Sequence, residues 1–544
     1  MFLYFYPMID VFLQNRLLRW ALAVLSGLLL VVAFPETGSC FWISFIAWVP
    51  LLLLEHYACV NSKSIGLFFQ AYFTFLIYNI GTTWWIYYAS EPGAYMAFFA
   101  NSLLMAIAFL CYHRLKRKIG FHWMIPLFLT TWLSFEFLHF HWELSWPWLT
   151  IGNTFANTPS IVQWYSITGV LGGSVWVLIV NSYLTKQLIL NNIAKIKIQK
   201  KQLITLSVLV FFPMMLSLLL YITKNTSGNS FEVAVIQPNI DPYNAKFTTS
   251  NEEQLESIFQ QVDDVVSPKT QLVIAPETAL YPNSKLDEDR LLQEIFYHQI
   301  MERKAKWNNA SLLIGASTYR LFDSKQTSAC KFIPELNSFV EDYNTSILFG
   351  EIRQPEIVHK SKLVLGVEKI PFINTIPFLE NLALEMEGGS GTLGIESGPK
   401  VMETRNVKFS PVVCYESIYG GFMAAQAKQG SQFIAIITND GWWRNTPGYK
   451  QHFAFARLRA IENNKYVVRS ANTGKSGIIN NRGDVLIETG WWKKTAFNAV
   501  IQLNQTRTIY SYLGDILGYF ALIGLFLFYC MRFYKGLHLE KKKL

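Results

Sequence analysis

Cys414 closes the apolar run Pro411-Val412-Val413 and is followed at once by Tyr415 and Glu416. A thiol at a strand-to-helix corner lies near backbone amides, which favour the thiolate and can hold an oxyanion. A cysteine behind two valines also reads as a small buried hydrophobe. Glu277 follows the run Leu272-Val273-Ile274-Ala275 and Pro276. It is either a solvated carboxylate at a strand end or, beside a thiol, a general base. Lys360 stands in HKSKLVLGVEKIPF, residues 359–372. It is either a surface charge or an ammonium that steadies a thiolate and a developing alkoxide. Each residue alone is ambiguous; together they offer a base, a cation and a sulfur nucleophile.

The segments around them decide whether they can meet. Apolar runs at Phe231 to Ile236, Leu272 to Ala275, Leu312 to Ala316, Pro411 to Val413 and Phe433 to Ile437 read as short strands. Helix-compatible stretches separate them at Glu253 to Val265, Glu288 to Lys304 and His452 to Asn463. Later runs, Val467 to Ser470 and Ser476 to Ile479, precede a turn at Asn481-Arg482-Gly483-Asp484 and a further strand. Such alternation predicts a layered α/β domain. Open α/β sheets bind ligands beyond the carboxyl ends of their strands, where Glu277, Cys414 and Asn439-Asp440 all fall.

This domain interrupts a chain of different character. Of 544 residues, 51% are apolar and only 16% charged, with 41 Phe, 26 Tyr and 17 Trp; soluble chains carry about a quarter charged residues. Eight apolar stretches read as membrane spans: Leu17 to Phe34, Phe41 to Leu54, Ile65 to Tyr87, Tyr95 to Cys111, Met124 to Leu138, Ile161 to Leu184, Leu203 to Ile222 and Tyr510 to Met531. The expected organisation is therefore a seven-helix bundle over residues 1–222, a soluble domain over 223–508, and a last helix with a basic tail over 509–544. Arg16, Arg19, the cluster His113 to Lys118, the Lys-rich stretch 186–201 and Lys541 to Lys543 fall on one side of such a bundle. Retention of Lys and Arg on the cytoplasmic side then puts both termini inside and the soluble domain outside. The first span reads as uncleaved, since Thr37 stands three residues before Cys40, where a lipoprotein-type site wants an apolar residue.

The net charge of +9 is accounted for by topology and anionic headgroups, without a nucleic-acid partner. Only Cys330 and Cys414 lie in the soluble domain, so no disulfide framework is expected. His139 and His141 near Glu143 sit in a Trp-rich loop and read as interface hydrogen-bonding groups; no metal or cofactor is expected. That loop, HFHWELSWPWLTIGN (139–153), is expected at the membrane interface with Trp142, Trp146 and Trp148. Glu136 is the ionisable residue noted inside the spans, which argues against an ion pathway.

The combination resembles a known family. Pro276-Glu277-Thr278, His359-Lys360 leading to Glu368, and Val413-Cys414-Tyr415-Glu416 are similar to the Glu-Lys-Cys triad of the nitrilase superfamily. Gln237-Pro238-Asn239-Ile240, TNDGWW (438–443), QHFAFARLRAIEN (451–463), RSANTGKSG (469–477) and the arrangement of spans narrow the resemblance to apolipoprotein N-acyltransferases. Two positions depart from the family pattern: Leu365 where Pro is usual, and Phe247 where Trp is common. Lys362 is the competing lysine, and Lys360 has the matching spacing.

The resemblance implies a polytopic α-helical membrane protein with an inserted nitrilase-like αββα sandwich on the extracytoplasmic side of a bacterial cytoplasmic membrane. It implies an N-acyltransferase that acts as a monomer, with a phospholipid acyl donor and a diacylated lipoprotein acceptor. Glu277, Lys360 and Cys414 would be catalytic, Glu368 would orient Lys360, and the amide of Tyr415 would help hold the oxyanion. Tyr415, Glu416 and Phe247 would line the acyl or headgroup pocket, with Trp146 and Trp148 as further substrate contacts. Two rivals use the same features differently: a membrane-tethered amidase that lets water resolve the acyl-enzyme, and a receptor without catalysis.

Overall fold

In the computed structural model, residues 9–241, 243, 250–372 and 392–541 are described. The chain divides into two compact units, one of Met1–Tyr87, Ala94–Thr223 and Asp515–Leu544, the other of Tyr88–Gly93 and Lys224–Gly514.

The first unit is helical. Among the described residues, six helical segments are long and apolar enough to cross a membrane: Arg16–Ala33, Phe41–Asn61, Ser64–Tyr88, Glu91–Ile119, Lys200–Thr223 and Ile516–Tyr534. The other two expected spans fall on the helices Met124–His141 and Val170–Ala194. Two starts differ from expectation. The sixth helix begins at Val170 rather than Ile161, because Gly169 with φ +62° breaks the chain after the short turn Tyr165–Thr168. The last begins at Ile516 rather than Tyr510, because Gly514 with φ +59° ends a separate short helix, Ile509–Leu513.

The Trp-rich loop also differs from expectation. Residues from Pro147 to Phe155 form two buried 3₁₀ turns, and Trp148, 1% exposed, packs on Trp85 at 4.8 Å. Irregular backbone away from water needs internal partners, and here it has them. Glu136 accepts from the Ile151 amide at 2.8 Å and from the Trp132 indole at 3.2 Å. Asn153 donates to the carbonyls of Pro147 and Trp148 at 3.2 and 3.0 Å, and the Tyr165 hydroxyl to that of Gly152 at 2.8 Å. The helices around Glu55 and His113 also run past the expected span ends, burying a Glu55–His113–Lys116 cluster that the shorter spans left out.

The second unit contains β1 (Asn229–Gln237), β2 (Leu272–Ile274), β3 (Leu286–Asp287), β4 (Ser311–Phe322), β5 (Lys331–Ile333), β6 (Ser338–Phe349) and β7 (Glu356–His359). It continues with β8 (Met402–Thr404), β9 (Val407–Val413), β10 (Ile434–Thr438), β11 (Val467–Ala471), β12 (Gly477–Ile479), β13 (Val485–Glu488) and β14 (Thr495–Leu503). One sheet has the order β14-β1-β2-β4-β6-β5, with β3 on β4 and β7 on β6; the other is β13-β12-β11-β10-β9-β8. The central strands β1, β2 and β4 are parallel, as are β9, β10 and β11.

The sheets face each other across a core that includes Val233, Val235, Leu313, Phe409, Phe433 and Ile437. Helices Asn251–Val265 and Ile295–Lys306 cover the outer face of the first sheet through Leu255, Ile258, Phe259, Phe296 and Ile300. Helices Gly420–Lys428 and Pro447–Asn463 pack on the second sheet. Strands buried on both faces read as continuous apolar runs, as at Ile434 to Ile437. The result is the αββα sandwich. The expected helix from Glu288 to Lys304 is instead a 3₁₀ turn, Glu288–Gln293, followed by the helix Ile295–Lys306.

Candidate active site

Glu277 stands three residues beyond β2, Lys360 directly after β7, and Cys414 directly after β9. All three are buried. Lys360 Nζ lies 3.2 Å from Glu277 Oε1 and 2.8 Å from Glu368 Oε1. Asn344, on β6, donates to the same two oxygens at 2.7 and 2.9 Å. Its carbonyl accepts the Lys360 amide at 2.8 Å, fixing the start of the loop. The other oxygen of Glu277 accepts from the Asn439 amide at 2.9 Å, and that of Glu368 from the Val364 amide at 2.9 Å. Glu368 thus pairs with Lys360 rather than with Lys362 or Lys369. Leu365, where proline is usual, sits in a turn closed by the Glu368 amide on the Val364 carbonyl at 2.9 Å.

Backbone packing holds Glu277 in place. Gly315 of β4 passes so close beneath it that a Cβ there would stand 2.6 Å from the Glu277 Cα. Any side chain at 315 would push the carboxylate out of register.

Cys414 has φ +51°, a conformation that costs a non-glycine residue about 1–3 kcal/mol. Its carbonyl accepts from Ser417 Oγ at 2.7 Å and lies 3.2 Å from His452 Nε2. His452 Nε2 is also 2.7 Å from Ser417 Oγ, and its Nδ1 is 3.0 Å from Asp440 Oδ1. Thr438 donates to Asp440 at 2.8 Å and Arg469 at 2.6 Å. Burial opposes ionisation of Asp440, but Arg469 and His452 outweigh it and hold the carboxyl far below the usual carboxylate range. Serine, histidine and aspartate in a row resemble a nucleophilic relay, but here all three are buried and Ser417 is spent on the Cys414 carbonyl. Their effect is to hold the strained corner.

Burial would pull the Lys360 ammonium down, yet the charges of Glu277 and Glu368 hold it well above the ordinary lysine value. Lys362, by contrast, is lowered by burial, and its ammonium lies 5.2 Å from the centre of the Tyr419 ring. Burial, and next the charge of Glu277, push the Cys414 thiol up despite Lys360. Both effects favour the neutral thiol at rest. A raised thiol pKa means less thiolate at pH 7.5 than an ordinary cysteine has. Alkylation of Cys414 by iodoacetamide, followed by peptide mass spectrometry, should be slow at pH 7.5 and still rising at pH 9.5. A plateau below pH 8 would mean a preformed thiolate.

Glu416 does not line an open pocket as expected. Its carboxylate turns inward, Oε1 accepting from the amides of Ser361 at 2.6 Å and Lys362 at 3.4 Å, and Oε2 from Val413 at 2.8 Å. It ties the loop after Lys360 to the corner at Cys414. Burial raises its pKa to about 7, against the amides of Val413 and Ser361. The folded chain then keeps a proton that the unfolded chain has released above the ordinary carboxyl value of 4.5. This contribution to stability is full at low pH and declines as pH rises from about 4.5 to about 7. Glu416→Gln, with no proton to lose, should flatten that decline in melts between pH 5 and pH 8. Glu416→Ala should cost about 1–3 kcal/mol for each buried amide it orphans.

Tyr415 is buried against Tyr419, ring centres 5.4 Å apart. Trp146 and Trp148 belong to the helical unit, where Trp146 stacks on Trp148 at 5.8 Å and packs beside Ala94, Ala97 and Phe98. Trp148 is buried in that unit. Phe247 lies outside the described residues. Sequence reasoning missed Asn344, and with it β6, because a strand that buries Glu341, Asn344, Thr345 and Ser346 gives no apolar run. His452 and Asp440 lay inside the quoted motifs, but nothing in their spacing tied them to Cys414.

Comparison with known proteins follows the same division. The family profile described as carbon-nitrogen hydrolase matches residues 232–510, and that described as apolipoprotein N-acyltransferase N-terminal domain matches residues 26–183. The chain is 29% identical over 515 residues to the apolipoprotein N-acyltransferase of Chlorobaculum tepidum, covering 92% of this chain and 94% of that one. It is 25% identical over 530 residues to that of Geobacter metallireducens, covering 93% of each chain. Among solved structures, Saccharomyces cerevisiae Nit3, a member of branch 10 of the nitrilase superfamily, aligns with TM-score 0.34 and 17% identity, covering 54% of this chain and 96% of that one.

Proposed function

The chain belongs to the carbon-nitrogen hydrolase family and carries the N-terminal domain of apolipoprotein N-acyltransferases, and from that premise we propose that it moves a fatty acyl chain from a membrane phospholipid to the α-amino group of a lipidated N-terminal cysteine. The relatives named above are acyltransferases by name and match along most of their length. A ping-pong route through a Cys414 thioester divides one difficult ester-to-amide exchange into two easier steps.

In the first step Glu277 takes the Cys414 proton while the sulfur attacks the ester carbonyl. Lys360 and the Tyr415 amide hold the oxyanion. The carbon–oxygen bond breaks, the proton passes from Glu277 to the departing oxygen, and a lysophospholipid leaves. In the second step the lipoprotein amine attacks the thioester, Glu277 takes its proton, and the Cys414 sulfur leaves and recovers a proton from Glu277. Glu368 and Asn344 keep the ammonium and the base in register. The single observation carrying this reading is the ion pair of Glu277 with Lys360 at 3.2 Å, whose charges both act on the Cys414 thiol.

The basic residues between the helices support a topology with both termini cytoplasmic and residues 223–508 outside. Both substrates being lipids, the catalytic unit would work at the bilayer surface as a monomer. The purified protein, incubated with phospholipid and a diacylated cysteinyl peptide, should yield N-acylated peptide and lysophospholipid in equal amounts. Free fatty acid without acylated peptide would mean that water, not the amine, resolves the intermediate, and would overturn the proposal.

A further inference from the structure

One end of the helical unit holds a cavity of about 430 Å³, bordered by Arg16, Arg19, Lys63, Tyr57, Gly66 and Trp20 among others. Among the described residues no acidic side chain borders it and no carboxylate pairs with its three cations. Arg19 is already fixed. Its guanidinium donates to the carbonyls of Leu13 at 2.5 Å and Gln14 at 2.9 Å, reaches the Tyr57 hydroxyl at 3.3 Å, and lies 4.8 Å from that ring's centre. Lys63 approaches the same ring at 5.9 Å. Gly66 faces open space, with nothing within 4 Å of where a Cβ would stand.

The surroundings are apolar in the way an acyl chain requires. Leu17, Ile65 and Phe69 are 79, 77 and 54% exposed on the two helices that border the cavity. Phe73, one turn beyond Phe69, meets Trp20 edge to face at 5.9 Å. A cationic recess above a strip of exposed apolar side chains matches a molecule with an anionic head and hydrocarbon tails. Cavities of this size hold small ligands, and basic recesses between membrane helices hold anionic headgroups.

We propose that this recess is a binding site for the headgroup of an anionic phospholipid, its phosphate lodged among Arg16, Arg19 and Lys63 and its acyl chains laid over Leu17, Phe69 and Phe73. The site is separate from the acyl-transfer chemistry and fixes this end of the helices in the charged leaflet. Charge complementarity selects the occupant: a zwitterionic lipid brings no net charge to balance three cations, and inorganic phosphate has no tails for the apolar strip.

The test is native mass spectrometry of the full chain in dodecyl maltoside, titrated in separate arms with dioleoyl phosphatidylglycerol, dioleoyl phosphatidylethanolamine and inorganic phosphate. The wild type should retain one more phosphatidylglycerol than phosphatidylethanolamine. Arg16→Ala with Lys63→Ala should weaken that retention on the order of 10- to 30-fold. Gly66→Leu keeps every cation and favours the helix, yet fills the open space, and should abolish the extra lipid even if the double variant fails to fold. Undiminished phosphatidylglycerol binding in Gly66→Leu, equal retention of both lipids, or displacement by inorganic phosphate alone would each overturn the proposal.

Discussion

Cys414→Ala leaves a protein that folds, sits in the membrane and transfers no acyl chain, its turnover down by about 10⁴-fold or more. The fold should survive, because losing one sulfur from a largely buried position removes little apolar surface, worth about 1 kcal/mol. The corner geometry should survive too, since Ser417 and His452 hold the backbone carbonyl and not the side chain. On the proposed route the chemistry does not survive, because the proposed thioester would have nowhere to form. Intact mass after exposure to phospholipid is the direct measurement. The wild type should gain the mass of one fatty acyl group and lose it again when a diacylated peptide is added, while Cys414→Ala should gain nothing. Normal turnover in this variant would remove Cys414 from the mechanism.

Glu277→Gln has the second largest effect, about 10²- to 10⁴-fold on turnover. The amide keeps the shape of the carboxylate and its oxygen can still accept from the Asn439 amide, which now lies 2.9 Å from Oε2. Its NH2 then faces the Lys360 ammonium and the Asn344 amide, two donors that Oε1 now accepts at 3.2 and 2.7 Å. It cannot take a proton. Because the proposed route has the same group deprotonate the thiol in the first half-reaction and the amine in the second, both should slow: acyl-enzyme should appear late and, once formed, persist after peptide is added. Lys360 keeps its partner Glu368 at 2.8 Å, so the buried ammonium is not stranded, and the lost acceptor at Oε1 should lower stability by about 1–3 kcal/mol. Rapid-mixing mass spectrometry separates the two steps. A variant that acylates at the normal rate and stalls only at transfer would assign thiol deprotonation to another group.

Much of the candidate site was legible in the sequence, for a physical reason. In an α/β sandwich the residue that ends a parallel strand is both a break in the apolar run and the point nearest the ligand. Glu277, Cys414 and Asn439 therefore announced themselves by position. The strands themselves were legible where both faces are buried, as in Phe433 to Ile437. Strand β6 was not, because its interior is polar, and with it went Asn344, which touches both carboxylates. The first element of the stretch from Glu288 and the start of the sixth long helix were misjudged at their edges, where a glycine or a 3₁₀ turn outweighs the apolar pattern.

The aromatics illustrate the opposite limit. Tryptophan beside a predicted span is as suited to a water–lipid boundary as to a helical core, and composition does not distinguish them. Trp148 went to the core because Glu136, Asn153 and Tyr165 supply the hydrogen bonds that let the loop around it turn inward.

The sequence by itself determined the chemical types at three strand ends, the alternation that makes a two-sheet sandwich, and the apolar helices on either side, because these depend on local pattern and hydrophobic burial. Tertiary structure alone decided which lysine meets which carboxylate, that Glu416 binds backbone amides instead of facing a pocket, and that a buried His452–Asp440–Arg469 cluster holds the strained turn at Cys414. Such pairings join residues distant along the chain through contacts a few ångströms long, and only the folded packing fixes distances of that kind.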